Sequence, residues 1–330
     1  MIARLTILLP FYLTVPEGVE FTVYEYEIDG YRARFVPPGR SERALSIDGT
    51  DQLKIDGVAT FQADVLRIDF HRDSFDRRVE TTCDPPVRIV NQVVNSFLVR
   101  LRHVARAAQV RPLNFPSVTW RLQYLNDDET ELKKEEGFVR GRGTLQFSFS
   151  WTALNKKVWD DVHILKPDYE PRPWESLLLD ASAELPNIGP AVVLAASALE
   201  VFISQVLDQL AVIKNTPLEL WQWINQRNFW LQEPTVEEQY DVLLKFFTEH
   251  SLKNEHELWE SFKNLKDARN SFVHEGIPKI GDMAITIETA QKLIASASEI
   301  ILKVKQWIPS ELHWPEFKHT VQVEIVKRLT

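Results

Sequence analysis

The dominant hydrophobic periodicity of this chain changes past about residue 155, and that change limits what it can fold into. Up to about residue 155, apolar and polar residues alternate with a period of two, the pattern of strands half-buried in a sheet. Thr22–Ile28 alternates, reaches the turn dipeptide Asp29-Gly30, and resumes as Tyr31–Val36, which predicts a hairpin. Gly57–Phe61, Val65–Phe70, Ser117–Leu125 and Gly143–Phe149 read as further strands, and residues 126–137 as a solvated loop. One helix interrupts them. Val87 to about Ala108 carries Ile89, Val90, Val93, Val94, Phe97, Leu98, Leu101 and Val104 at helical spacing, with Asp84 as its expected cap.

Lys166–Trp174 holds three prolines in nine residues and marks a domain boundary. Beyond it the helical period takes over. Helices are expected over 176–185, 191–213, 217–227, 235–250, from Asn254 to the Arg269–His274 stretch, and from Thr286 or Glu288 to Trp307. Thr235-Val236-Glu237-Glu238 is a capping-box pattern, and Gly276 and Pro278 are stop signals. The expected class is α+β: a β-rich domain over 1–165 with one long helix, an all-helical bundle over 172–308, and a tail over 309–330. The tail's alternating Thr320–Val326 reads as a strand that returns to the first domain.

Charge and composition narrow the function classes. With 38 Lys and Arg against 47 Asp and Glu, the net charge is −9, which disfavours a protein that coats nucleic acid non-specifically. A local basic site remains compatible, and Arg88, Arg100, Arg102, His103 and Arg106, with Arg111 beyond, make the long helix one candidate. A single cysteine, Cys83, rules out an intrachain disulfide and a cysteine-based zinc site and fits a reducing cytoplasm. Met1–Pro10 reads as a strand rather than a signal peptide. No run is long and apolar enough to predict a membrane span. The histidines show no metal-ligand spacing, and neither a phosphate-binding glycine loop nor a nucleophile elbow occurs, so no metal and no cofactor is expected. Trp221, Trp223 and Trp230 read as core or an interface patch.

After Pro167 only four arginines occur, Arg172, Arg227, Arg269 and Arg328. One of them opens the stretch Arg269-Asn270-Ser271-Phe272-Val273-His274-Glu275-Gly276. Asn270 and His274 are four apart and share a helix face, with Arg269 beside it. An imidazole can take or give a proton near neutrality, and a guanidinium can stabilise the extra charge on a five-coordinate phosphate.

The pattern Arg-Asn-x-x-x-His followed by Glu-Gly resembles the signature of HEPN domains, all-helical modules of which many are metal-independent ribonucleases. The resemblance extends over about 172–308, where Ala195–Ile203 looks like the earlier apolar helix of that family and Glu200 like its acidic residue. It implies Arg269 and His274 as the catalytic pair, Asn270 in the polar position after the arginine, and RNA as substrate, cut to a 2′,3′-cyclic phosphate. It also implies a homodimer through the helical domain and a setting in toxin or antiviral defence. The first domain would then bind a regulatory protein or ligand.

Blander readings stand beside these. Arg269 could pair with Glu200 or Glu275 while His274 caps the last carbonyls, and Glu200 could be a solvent-facing charge. The bundle would then be a non-catalytic dimerisation module whose β-rich neighbour binds a protein or RNA.

Overall fold

The computed structural model describes residues 1–40, 52–75, 84–115, 117–137, 152–225, 233–317 and 323–326. It is an α+β protein that divides into two compact units, residues 1–170 with 317–330, and residues 171–316.

The first unit is built on β1 (Ile2–Pro16), β2 (Tyr24–Ile28), β3 (Tyr31–Gly39), β4 (Gln52–Ile55) and β5 (Val58–His71). They are followed by α1 (Val87–Val104), β6 (Trp120–Leu125), β7 (Glu131–Gly137), β8 (Thr152–Ala153) and α2 (Lys156–Ile164). β1 lies at the centre, antiparallel to β5 on one side and to β6 on the other. β5 also pairs with β3, and β2 continues the sheet beyond it. Strand alternation decides which side chains are covered. Ala3, Leu5, Ile7, Ala33, Phe35, Ile68 and Phe70 point to one face and are buried against Phe97 of α1 and Trp159 of α2. Each large side chain so covered stabilises the fold by about 1.5–3 kcal/mol.

The predicted hairpin forms with Ile28 opposite Tyr31. Asp29 and Gly30 both take positive φ, 46° and 79°, as a two-residue turn matched to strand twist requires. Four expectations need correction. Residues 58–71 are one strand rather than two. The loop expected after β6 instead folds back as β7, with Gln123 opposite Lys134, because a charged sequence pairs readily where its strand lies at a sheet edge. Asp84 does not cap α1, whose N-cap is Pro86; its carboxylate accepts the Tyr31 hydroxyl instead. The cap of α2, Asn155 accepting from the Val158 N–H at 2.9 Å, belongs to a helix the periodicity did not predict. The strand expected at 143–149 lies outside the described residues.

The second unit contains α3 (Pro173–Glu184), α4 (Ile188–Ile213), α5 (Leu218–Asn225), α6 (Val236–Glu238), α7 (Leu244–Thr248), α8 (His256–Glu275) and α9 (Ile287–Trp307). A π-turn over Gln239–Leu243 joins α6 to α7. A short hairpin, β9 (Lys279–Ile280) with β10 (Met283–Ala284), separates α8 from α9. α4 runs through the core with Ala195, Leu199, Phe202, Ile203, Val206 and Leu210 buried. By length and composition α4 could cross a membrane, contrary to the sequence expectation; 56% of its most apolar window is buried inside the protein, the position of a core helix. The capping box at Thr235 forms, whereas Asn254 caps nothing and α8 starts after Glu255.

Residues 309–316 belong to the helical unit. The last strand, β11 (Val323–Val326), pairs antiparallel with β4 in the first unit.

Candidate functional site

The motif occupies the last two turns of α8. Gly276, at φ 76°, ends the helix in the left-handed conformation and returns its N–H to the Phe272 carbonyl at 2.8 Å. The following hairpin is tied to the same turns: the Lys279 N–H donates to Ser271 Oγ at 2.6 Å and Lys279 Nζ to Glu275 at 2.6 Å. His274 is therefore held in the helix and is exposed. Glu275, whose carboxyl Lys279 and then His274 hold below the usual range, pairs with Lys279 and leaves Arg269 to other partners.

Arg269 is half-buried. Its Nη1 donates to Asn270 Oδ1 at 3.0 Å, and its Nη2 stands 4.0 Å from Glu200 Oε1 on α4. The third nitrogen, Nε, is buried with no hydrogen-bond partner. Asn270, Arg269 and Glu200 line one cavity of about 230 Å³, whose wall also includes Thr235, Glu237 and Lys266. The Glu200 backbone is fixed from below. Tyr240, entirely buried, donates its hydroxyl to the Leu199 carbonyl at 3.0 Å, and burial pushes its phenol pKa well up, with Glu200's charge adding to the shift.

Arg269, Asn270 and Glu200 are thus brought together, and His274 is not. Five helical residues separate Arg269 from His274 by about 7.5 Å along the axis and roughly 140° around it. His274 does not line the cavity. Within one chain the guanidinium and imidazole open in different directions; Asn270, about 40° from His274, is the residue between them.

Three groups of this site were not singled out from sequence. Lys266 pairs with Glu237, and Thr235 contributes its side of the wall. The capping box was legible, but its approach to α8 is a long-range contact with no sequence signal. Gly189 lies in the first turn of α4. A Cβ there would collide with the Phe272 ring, so the glycine lets α4 pack on the motif helix.

The other sequence candidates separate. Arg100 is 1% and His103 2% exposed, so the arginine-rich helix presents no continuous basic face. Arg100 instead donates to the Val162 and Leu165 carbonyls at the end of α2. Trp221 donates to Asp208 at 2.8 Å and packs edge-on against Phe247, Trp223 is exposed, and Trp230 and Cys83 lie outside the described residues. Among the described residues no three His, Cys, Asp or Glu side chains cluster as metal ligands. Comparison with protein-family models, with curated proteins and with solved structures finds no match to this chain.

Proposed function

We propose that the helical unit is a HEPN-type endoribonuclease that cleaves RNA without a metal, in a cytoplasmic toxin or antiviral-defence setting. The observation that supports this best is Arg269: a guanidinium steadied by Asn270 and Glu200, bordering an open cavity, with one N–H still unpartnered. Such a group is suited to the charge that develops on a phosphate under attack. His274, exposed one turn on, takes the proton of the ribose 2′-OH as that oxygen bonds to phosphorus. The bond to the 5′-oxygen breaks, that oxygen receives a proton, and a 2′,3′-cyclic phosphate and a 5′-hydroxyl result. Because Arg269 and His274 diverge within one helix, a second copy of the chain completes the reading by supplying the facing motif.

That same divergence favours a second reading, a non-catalytic dimerisation or binding module. Incubation with total RNA in EDTA separates the two. On the nuclease reading the parent protein cuts, while Arg269→Ala and His274→Ala each lose at least about 100-fold in rate, a loss on the scale of one electrostatic or acid–base group. Equal inactivity of all three, in a folded dimer, leaves the module.

A further inference from the structure

The face of the β1–β3–β5–β6 sheet opposite the core is basic in a protein that is acidic as a whole. Register places Arg4, Asp69 and Arg34 in one cross-strand row. Thr6, Arg67 and Val36 form the next row, with Arg121 beside Thr6, and Ile2, His71 and Arg32 the row on the other side. Arginines outnumber acids on these four strands, while the neighbouring β2 sets Glu25 opposite Arg34 and Glu27 opposite Arg32. Asp69, 4% exposed, is engaged by Arg4 through two bonds of 2.9 and 3.0 Å, and Arg67 reaches it only at 4.0 Å. Glu25 on β2 stands 3.7 Å from Arg32, and Glu129 in the β6–β7 turn takes Arg4 at 3.2 Å. Arg34 makes no hydrogen bond or ion pair among the described residues. Nε of Arg34, Nε of Arg67 and Nε2 of His71 are all buried without a hydrogen-bond partner.

Buried N–H groups are ordinarily satisfied, so unpaired ones grouped on one face point to acceptors that come from outside the chain. The array is open and extended rather than a pocket. Arg34 and Arg67 lie diagonally on neighbouring strands, their backbone positions offset by one strand spacing of about 4.8 Å and by two residues, about 6.8 Å, along the strand. That geometry suits a chain of anions more than a single one, and the planar guanidinium fork matches phosphate oxygens.

We propose that this sheet face binds the backbone of single-stranded RNA through Arg34 and Arg67, with Arg4 held in place by Asp69. The choice of RNA among polyanions rests on the ribonuclease reading; the surface itself does not. Its test is fluorescence anisotropy with a labelled single-stranded RNA, in EDTA, on the full-length His274→Ala protein between 50 and 200 mM salt. Replacing Arg34 and Arg67 together by Gln should weaken binding about tenfold or more. It should also make the log–log salt slope shallower by about 1.4, two phosphate contacts at about 0.7 each on a single strand. Arg34→Lys with Arg67→Lys keeps the charge and should retain part of the affinity, which separates lost contacts from lost folding. Arg88→Gln, whose partner is Asp29 in the β2–β3 turn, should change nothing. Unchanged affinity in the folded double Gln variant overturns the proposal. So does displacement of RNA by an acidic peptide at equal charge concentration. Binding that persists when no cleavage is found in the parent removes the nuclease reading alone, and cleavage unaffected by the double variant removes this one alone.

Discussion

Gly189 and Phe272 show how one residue far from the motif in sequence holds it in place. The Phe272 ring occupies the space where any other residue at 189 would put its Cβ. Gly189→Ala should cost about 1–3 kcal/mol by overpacking, measured by denaturant unfolding, and Phe272→Ala should make the second substitution far less costly in a double-mutant cycle. Glu200 belongs to the opposite category. Its partner Arg269 is 4.0 Å away and both side chains are more than a third exposed, so Glu200→Gln should change stability by less than about 1 kcal/mol. On the ribonuclease reading its effect appears in catalysis instead. The rate should fall with no matching loss of RNA affinity, because an arginine without its carboxylate is less well placed.

At the scale of elements, the bends and ends of helices matter more than their middles. The π-turn between α6 and α7 sets Tyr240 beneath α4, where its hydroxyl reaches the Leu199 carbonyl. Tyr240→Phe removes a buried hydrogen bond of about 1 kcal/mol, which a chemical melt would register, and loosens the backbone next to Glu200. The motif helix itself was legible: its apolar spacing and Gly276 predict a helix that stops where α8 stops. Its start was not, since Asn254 offers the right side chain and Glu255 takes the cap position. β7 was missed for a related reason. Glu131–Gly137 has little strand propensity of its own, and its state follows from lying beside β6.

For the molecule as a whole, two cores imply two responses to solvent. In the β unit, burial and then Arg100 push the His163 imidazole down to about 3, and burial and then Arg106 push His103 down to about 4. A histidine whose folded pKa lies below its unfolded value of about 6.5 favours the unfolded chain once protons are available, so its contribution is complete above about pH 6.5 and is lost as pH falls toward the folded value. Lowering the pH from 7.5 to 5 should therefore destabilise this unit by about 1–2 kcal/mol through His163 alone. His163→Phe, read against the parent by denaturant melts at both pH values, should show a correspondingly smaller loss. The replacement leaves the Tyr26 hydroxyl without His163, so the difference between pH values, rather than the absolute stability, is the quantity to compare.

By itself the sequence determined the switch from a period of two to a helical period, the Asp29-Gly30 turn, the apolar course of α4 and the end of the motif helix. All of these are local, set by backbone sterics and by neighbours within about four residues. It also offered Arg269, Asn270, His274 and Glu200 as a group. Tertiary structure alone decided that Glu200 meets Arg269 and Asn270 at one cavity while His274 turns away from it. It alone buried Arg100 and His103, and it alone set Arg34 and Arg67 on one open sheet face. Those outcomes depend on strand register and on helices far apart in the chain, and register is fixed by the whole set of buried side chains rather than by any stretch of them.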